Sequence, residues 1–237
     1  MVQVKLSRDF YDRPTLDVAH DLLGKVLVHR RRRGVTSGVI VEVEAYIGER
    51  DPACHAAPGP TPRNEPLYGP PGHAYVYLNY GIHCLVNVVT ERAGFPAAVL
   101  VRALDPLDGI AAMRRRRAGT DSGRRAPRLA DLSDRELCRG PGNLTRAMGI
   151  TLAENRLDLL GDRLFIKDEG LPVGQIAWGS RVGITVGIEH HWRAYIAGHP
   201  AVSARSDPLP MRVPRPAAAA DPRAEGVRLD RKPRSEY

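Results

Sequence analysis

Hydrophobic residues occur along this chain in short alternating or continuous runs, which is the pattern of strands that bury one or both faces. These runs predict strands at residues 26–28, 38–46, 74–78, 82–89 and 97–104, and shorter ones at 164–166 and 181–184. Apolar residues at helical spacing predict a helix over residues 14–23 that Gly24 closes. A second helix is predicted to begin at Asp105-Pro106, pass Met113 and end in the arginines 114–117.

Short connections join the neighbouring strands, among them the basic link at residues 30–34. Antiparallel strands accept such connections, whereas parallel strands need a long crossover. We therefore predict the fold class α+β, a single domain with a mainly antiparallel, curved β-sheet surrounded by helices and with a protruding β-hairpin. The domain is assigned to residues 1–205, and the Pro-, Ala- and Arg-rich residues 206–237 are predicted to be a disordered C-terminal tail.

The predicted hairpin carries a tyrosine at its tip. Asn79-Tyr80-Gly81 separates its two strands, and Asn and Gly tolerate the positive φ of tight hairpin turns. A large ring on such a stiff finger is hard to bury in its own domain, and it would fit a gap such as the one between stacked DNA bases. The alternative is that Tyr80 folds back onto its own sheet.

Two carboxylates share one face of the strand at residues 38–46. Val39, Val41 and Val43 lie on one face by parity, and Glu42 and Glu44 lie on the other. A carboxylate near the end of a strand is well placed to act as a general base. The alternative is an ordinary solvated strand face.

The ring of Tyr46 is expected to lie over the same cavity as Glu44. Tyr46 shares the parity of Glu44, and Tyr75 and Tyr77 point to one side of the first hairpin strand. His55 lies in a loop rich in Pro and Gly, where a single His is commonly exposed or hydrogen-bonded and has no chemical role.

Arg102 is the only charge in the apolar strand at residues 97–104. A buried Arg requires an anionic partner, and Glu44 is the natural candidate. The alternative is a core ion pair without chemistry.

A Gly-Pro-Gly turn at residues 140–142 leads into a predicted helix. The free backbone N–H groups of such a turn suit a phosphate, although an ordinary helix start is the alternative. The segment faintly resembles a helix-hairpin-helix DNA motif, but the many strands of the N-terminal half argue against that all-helical architecture. The sequence contains no H-E-x-x-H and no C-x-x-C, so no metal site is expected.

Composition narrows the class of partner. The net charge of +8 favours nucleic acid or an anionic membrane surface, and Arg accounts for nearly all of the excess. Three cysteines without a paired motif indicate free thiols in a reducing compartment. No apolar run has the length of a signal core or a membrane span, so a cytoplasmic protein that does not bind membranes is expected.

Taken together, these segments resemble the alkyladenine (3-methyladenine) DNA glycosylase family. The resemblance covers roughly residues 5–203 in the family's order. The segments that carry it are residues 14–19, 22–25, 42–48, 51–55, 61–64, 75–77, 80–81, 100–106, 137–141 and 181–184.

The resemblance implies a role for each matching position. Glu44 would activate the hydrolytic water and Arg102 would help to hold it. Tyr46, His55 and Tyr77 would sandwich a flipped base, and Asn87 would screen purine edges. Tyr80 would enter the minor groove, followed by Ile82, which stands where some members have a longer Met. Arg63, Arg139, Gly140 and Gly142 are the candidates for contacts with the DNA backbone.

The implied reaction is base excision from double-stranded DNA that contains alkylated or deaminated purines, and it leaves an abasic site. No cofactor is implied, and a monomer is expected, associated with the nucleoid if the source is bacterial. The other classes considered are a non-catalytic binder of damaged or distorted DNA and an RNA-binding protein, whose Arg/Lys-Gly-Phe type of signature is not found.

Overall fold

The computed structural model describes residues 4–119 and 132–203. Within them the strands are β1 (Val4–Lys5), β2 (Val26–Arg31), β3 (Gly34–Ile47), β4 (Ala74–Asn79), β5 (His83–Val89), β6 (Ala97–Pro106), β7 (Leu164–Asp168), β8 (Ile176–Gly179) and β9 (Arg193–Ile196). The α-helices are α1 (Arg8–Tyr11), α2 (Thr15–Leu22), α3 (Ile110–Ala118) and α4 (Pro141–Met148). Short 3-10 turns lie at Glu65–Tyr68, Asp134–Glu136 and Leu152–Glu154.

All the paired strands are antiparallel. Seven of the described strands follow the order β1-β7-β2-β3-β6-β5-β4, and the short β8–β9 hairpin joins the sheet through the pairing of β9 with the second half of β3. The sheet curls into a half-barrel with helices packed against it, so the predicted α+β class is confirmed. Among the described helices, none has the length and apolar character needed to cross a membrane.

Three local predictions are wrong. Residues 181–184 form a loop with bends, and the late strands are instead β8 and β9. Asp105 and Pro106 end β6, and α3 begins after Gly109, whose left-handed φ of 75° suits glycine. The basic residues 30–34 lie largely in strand, because β2 and β3 extend to a tight turn at Arg32 and Arg33. The arginines around position 124 and the tail at 206–237 lie outside the described residues.

The paired strands β3 and β6 have one face packed against the hydrophobic core and the other face turned away from it. Val41, Val43 and Ala45 are fully buried in the main hydrophobic core, together with the odd-numbered residues of β6 from Val99 to Ala103. The pairing of the two strands skips Val41 on β3 and Arg102 on β6. Such bulges bend a strand and redirect side chains. Here one bulge lies beside Glu42 and the other lies at Arg102.

The protruding hairpin has the predicted turn. β4 and β5 pair from Ala74↔Val88 to Asn79↔His83, and Tyr80 and Gly81 form the tip with φ of 48° and 70°. Three residues separate the last paired residues, and the Ile82 N–H donates to the Asn79 carbonyl at 3.0 Å to close the turn around Tyr80 and Gly81. Two successive residues with positive φ match the right-handed twist of the strands, which is the reason for a Gly beside the bulky Tyr.

Candidate active site

The candidate site lies on the face of the sheet opposite the core. Glu44 pairs with Leu100, Leu100 with Asn87, and Asn87 with Tyr75, so these four residues form one row across β3, β6, β5 and β4. Directly opposed residues of an antiparallel sheet point to the same face. All four line a cavity of about 420 Å³, which has the size of a small-ligand pocket.

The Glu44 carboxylate is fully buried beneath this cavity and accepts hydrogen bonds on both oxygens. Its Oε1 accepts the Val182 backbone N–H at 2.6 Å. Its Oε2 accepts the Tyr46 hydroxyl at 2.9 Å and lies 3.2 Å from a guanidinium nitrogen of Arg102. An ionised carboxylate has about four acceptor positions, so these donors leave room for a water. The interpretation of a solvated strand face is therefore wrong.

Glu42 forms the second carboxylate of a buried network. It accepts hydrogen bonds from Arg102 Nε at 3.2 Å, from Arg193 at 3.1 Å and from the Ser203 backbone N–H at 2.7 Å. Arg102 therefore bridges Glu42 and Glu44, and it has the expected carboxylate partner together with a second one. Two buried carboxylates thus lie against two buried guanidinium groups, and the network is balanced in charge.

The loop at residues 180–191 is fixed by a second buried ion pair. Arg181 and Asp51 form a bidentate pair at 2.6 and 2.8 Å, and both side chains are fully buried. Arg181 also donates to the Ala45 carbonyl at 3.1 Å, between the strand residues Glu44 and Tyr46. The pair holds Val182 where its N–H meets Glu44.

Aromatic rings form one wall of the cavity. His55 and Tyr77 lie with ring centroids 4.4 Å apart, and Tyr75 lies 5.3 Å from Tyr77. His55 Nδ1 is 2.9 Å from the Tyr75 hydroxyl, so His55 is hydrogen-bonded and also lines the cavity. The remaining ring, Tyr46, has the Arg181 guanidinium 4.7 Å from its centroid.

Burial determines the protonation of these rings. It lowers the pKa of His55, and the nearby charge of Arg63 lowers it further, so the imidazole is neutral at neutral pH. Burial, followed by the charge of Glu44, raises the pKa of Tyr77 to about 12 and that of Tyr46 higher still. The cavity therefore presents neutral π faces above one buried carboxylate.

Tyr80 and Ile82, at the tip of the β4–β5 hairpin, are exposed to solvent. Tyr80 is 88% exposed and Ile82 is 69% exposed, so the alternative in which Tyr80 folds back onto its sheet is wrong. Tyr80 nevertheless lines the mouth of the cavity. Asn87 is buried deeper, where its side-chain amide donates to the Tyr75 carbonyl at 3.0 Å.

Comparison with known proteins identifies the family of the chain. The family model for methylpurine-DNA glycosylase matches residues 9–200. The chain belongs to the methylpurine-DNA glycosylase family. It is accordingly a DNA glycosylase of base excision repair, a hydrolase that acts on DNA.

Relatives from distant organisms align over most of their length, and each is named "Putative 3-methyladenine DNA glycosylase". The protein of Chlorobaculum tepidum is 43% identical over 84% of this chain and 90% of its own length. The protein of Methanocella arvoryzae is 45% identical over 85% and 96%, and that of Bradyrhizobium diazoefficiens is 48% identical over 81% and 88%.

The four candidate backbone contacts of this glycosylase do not line the cavity, but each lies close to a residue that does. Arg63 is exposed and lies 5.7 Å from the Tyr77 ring centroid. Arg139 is exposed and donates to the Val202 carbonyl at 3.0 Å. Gly140 precedes α4 with φ of 98°, and a Cβ on Gly142 would lie 2.9 Å from the His83 ring. Pro141, between them, lines the cavity.

Sequence reasoning did not find all of the site. Arg193 and the Asp51–Arg181 pair gave no distinctive signal, because their partners are more than a hundred residues away in the chain. Tyr75 had the correct parity but was not selected. Within residues 4–119 and 132–203, no group of three or more His, Cys, Asp or Glu is arranged to hold a metal ion.

Proposed function

We propose that this glycosylase flips alkylated or deaminated purines out of duplex DNA and hydrolyses their N-glycosidic bond with a water activated by Glu44. The observation that carries the proposal is the buried Glu44 carboxylate at the base of an aromatic cavity, with an exposed Tyr80 at its mouth. The product would be an abasic site in an uncut strand.

Flipping is required because the sugar C1′ is shielded inside a duplex. A tyrosine on the hairpin tip can occupy the space that the nucleotide leaves, which lowers the free energy of the open state. Ile82, also exposed and two residues from Tyr80, would extend the wedge. The flipped base then gains stacking on the aromatic wall, worth ~1–3 kcal/mol per base.

Hydrolysis needs one proton acceptor and one anionic group near the sugar. The water oxygen would form a bond to C1′ while Glu44 takes its proton, and the electron pair of the breaking C1′–N bond would leave with the base. The developing positive charge on the sugar is stabilised by a nearby carboxylate, as in glycoside hydrolysis generally. Arg102 and the Val182 N–H would hold the Glu44 carboxylate in place.

The cavity favours purines that carry positive charge. A cation is attracted to the face of an aromatic ring, and a neutral His55 adds no repulsion. An alkylated purine also leaves as a neutral molecule, so it departs more readily than an undamaged base. Asn87, fixed by its bond to the Tyr75 carbonyl, would screen the edge of the base by clash or hydrogen bond.

Simple hydrolysis is proposed instead of a lyase reaction through a Schiff base. None of the described residues that line the cavity is a lysine, so no amine is placed there to attack C1′. The partner would be double-stranded DNA with damaged purines, bound by a monomer.

The test is a single-turnover assay on duplexes that each contain one hypoxanthine, one ethenoadenine or one 7-methylguanine, with alkaline cleavage of the abasic product. Glu44→Gln should bind damaged DNA but release base about 10²–10⁴-fold more slowly, because the amide cannot accept the water's proton. Glu189→Gln, which alters a carboxylate that is 65% exposed, should react at the wild-type rate.

The second candidate is a non-catalytic binder of damaged DNA. It predicts tight binding without base release by the unmodified protein on any of these duplexes. Release by Glu44→Gln at the wild-type rate would instead remove Glu44 from the catalytic role.

A further inference from the structure

Two hairpin turns project from the same end of the sheet. β3 and β5 are both antiparallel to β6, so they run in the same direction. The turn that precedes each of them, at Arg32 and Arg33 before β3 and at Tyr80 and Gly81 before β5, is therefore at the same end. All four of these residues are exposed.

The helix α4 connects the two hairpins. Its first residue, Pro141, lines the cavity, and Gly142 packs against His83 at the start of β5. At its other end the carbonyl of Met148 accepts hydrogen bonds from His29 at 3.0 Å on β2 and from Thr36 at 3.2 Å on β3. Eight helical residues span about 12 Å, so the two hairpin bases are separated by roughly that distance.

Two guanidinium groups converge where α4 ends. Arg31 donates to the Gly149 carbonyl at 3.3 Å, and Arg116, from α3, donates to the Ala147 carbonyl at 2.8 Å. A Cβ on Gly149 would lie 2.7 Å from Arg31 Nη1 and 3.1 Å from Arg116 Cζ. The two cations therefore lie above the same glycine.

Three more arginines lie in the last turns of the same two helices, two on α3 and one on α4, and we call the five together the arginine cluster. Its members are Arg31, Arg115, Arg116, Arg117 and Arg146. None of the five forms an ion pair with an Asp or Glu of the described residues. The nearby Glu136 carboxylate is already bonded to the backbone N–H and hydroxyl of Ser133.

The positive charges of the cluster lie close enough to repel one another. Burial lowers the pKa of Arg116, and the charges of Arg31 and Arg115 lower it further. Arg117 is affected in the same way by burial and by Arg146. Two of these cations cap the carbonyl end of α4, where positive charge is favourable, but one helix end carries only about half a negative charge. Five positive charges therefore form a strongly basic surface that attracts anions.

We propose that the arginine cluster binds backbone phosphates of the duplex that flanks the flipped nucleotide. Guanidinium groups are well matched to phosphate oxygens. The cluster lies on the side of the two hairpin turns, one α4 length from the cavity, and about 12 Å corresponds to three or four base pairs. The placement on the flanking duplex rests on the proposed base-flipping function, whereas phosphate binding by the cluster does not.

The test measures DNA affinity of the full chain against salt concentration, on undamaged and damaged duplexes. Each lost phosphate contact lowers the slope of log affinity against log salt by about 0.9. Arg115→Gln should lower it by about 0.9 and Arg31→Gln/Arg115→Gln by about 1.8, and the double Lys variant should restore most of it. Single-turnover base release at saturating protein should stay at the wild-type rate.

Two controls separate this role from others. Arg92→Gln removes an exposed charge in the β5–β6 link, at the opposite end of the sheet, and should leave the slope unchanged. On duplexes that end about two base pairs from the lesion on the cluster's side, the double variant and the wild type should bind equally.

An unchanged slope in the double variant, or a loss of melting temperature without a loss of affinity, would overturn the proposal. Absence of base release by the wild type would overturn the proposed function and leave the slope test on undamaged duplex valid.

Discussion

Glu44, the proposed catalytic carboxylate, lies in a buried network in which positive and negative charges balance. Glu44 is fully buried, and a buried carboxylate without a positive partner has a large desolvation cost. Arg102 offsets that cost, but Arg102 is shared with Glu42, and Arg193 supplies the second positive charge. The charge balance of the network that contains Glu44 therefore also depends on Arg193, a residue that does not line the cavity.

Substitution of Tyr80 should affect activity without affecting the stability of the fold. Tyr80→Ala should lower base release from duplex DNA by at least about tenfold, because a methyl group cannot fill the space left by the flipped nucleotide. The melting temperature should hardly change, since the ring is 88% exposed. The effect should be smaller on single-stranded substrate, which has no stack to hold open.

Two quantities are therefore measured for each variant: the melting temperature of the free protein, and the excision rate on duplex and single-stranded substrates. Tyr77→Ala is the matched comparison, because its half-buried ring packs against His55 and its loss should reduce both stability and activity. A large drop in melting temperature with unchanged duplex activity would identify Tyr80 as a core residue.

At the scale of elements, the site depends on a loop held against a strand. The loop at residues 180–191 contains no strand, yet it supplies the Val182 N–H to Glu44. Its anchor is the bidentate Asp51–Arg181 pair, which also fixes the Ala45 carbonyl at the end of β3. Removal of one partner of such a pair leaves the other charge buried and uncompensated.

Asp51→Asn should therefore lower the free energy of unfolding by about 3–5 kcal/mol, because it leaves the Arg181 charge buried without a partner. Denaturant unfolding measures this change. Asp162→Asn is the control, since Asp162 pairs with Lys5 while 81% exposed, and surface pairs contribute about 0–1 kcal/mol. A loss for Asp51→Asn as small as that of the control would contradict the anchoring role.

At the scale of the whole molecule, one sheet performs two tasks on its two faces. Its core face buries the aliphatic residues of β3, β5 and β6, and its other face carries the acidic and aromatic residues of the cavity. The net charge of +8 is concentrated in arginine, so phosphate contacts should supply much of the affinity for DNA.

Residues from Ser206 onward, which lie outside the described part of the chain, are predicted to be dispensable for catalysis. A chain that ends at Arg205 should keep the wild-type single-turnover rate and lose only modest affinity, because Arg-rich tails bind phosphates weakly and without specificity. Excision assays and salt titrations of the truncated protein check this. Failure of the truncated chain to fold would place the domain boundary elsewhere.

The sequence by itself determined the features that depend on neighbouring residues. Alternation predicted β3, β4, β5 and β6, because side chains of a strand point to opposite faces regardless of what they later contact. The hairpin tip followed from Asn79 and Gly81, since turn geometry is a local matter of φ. The family resemblance placed the roles of Glu44, Tyr46 and Tyr80, all of which remain predictions.

Only the tertiary structure decided which polar residues are buried together. Parity could not distinguish a solvated Glu44 from a buried one, because that depends on the loop at residues 180–191 lying over β3. It also could not pair Asp51 with Arg181 or Glu42 with Arg193, which are separated by 130 and 151 residues. Long-range ion pairs have no periodic signature, so their existence follows from packing and not from the local pattern of the chain.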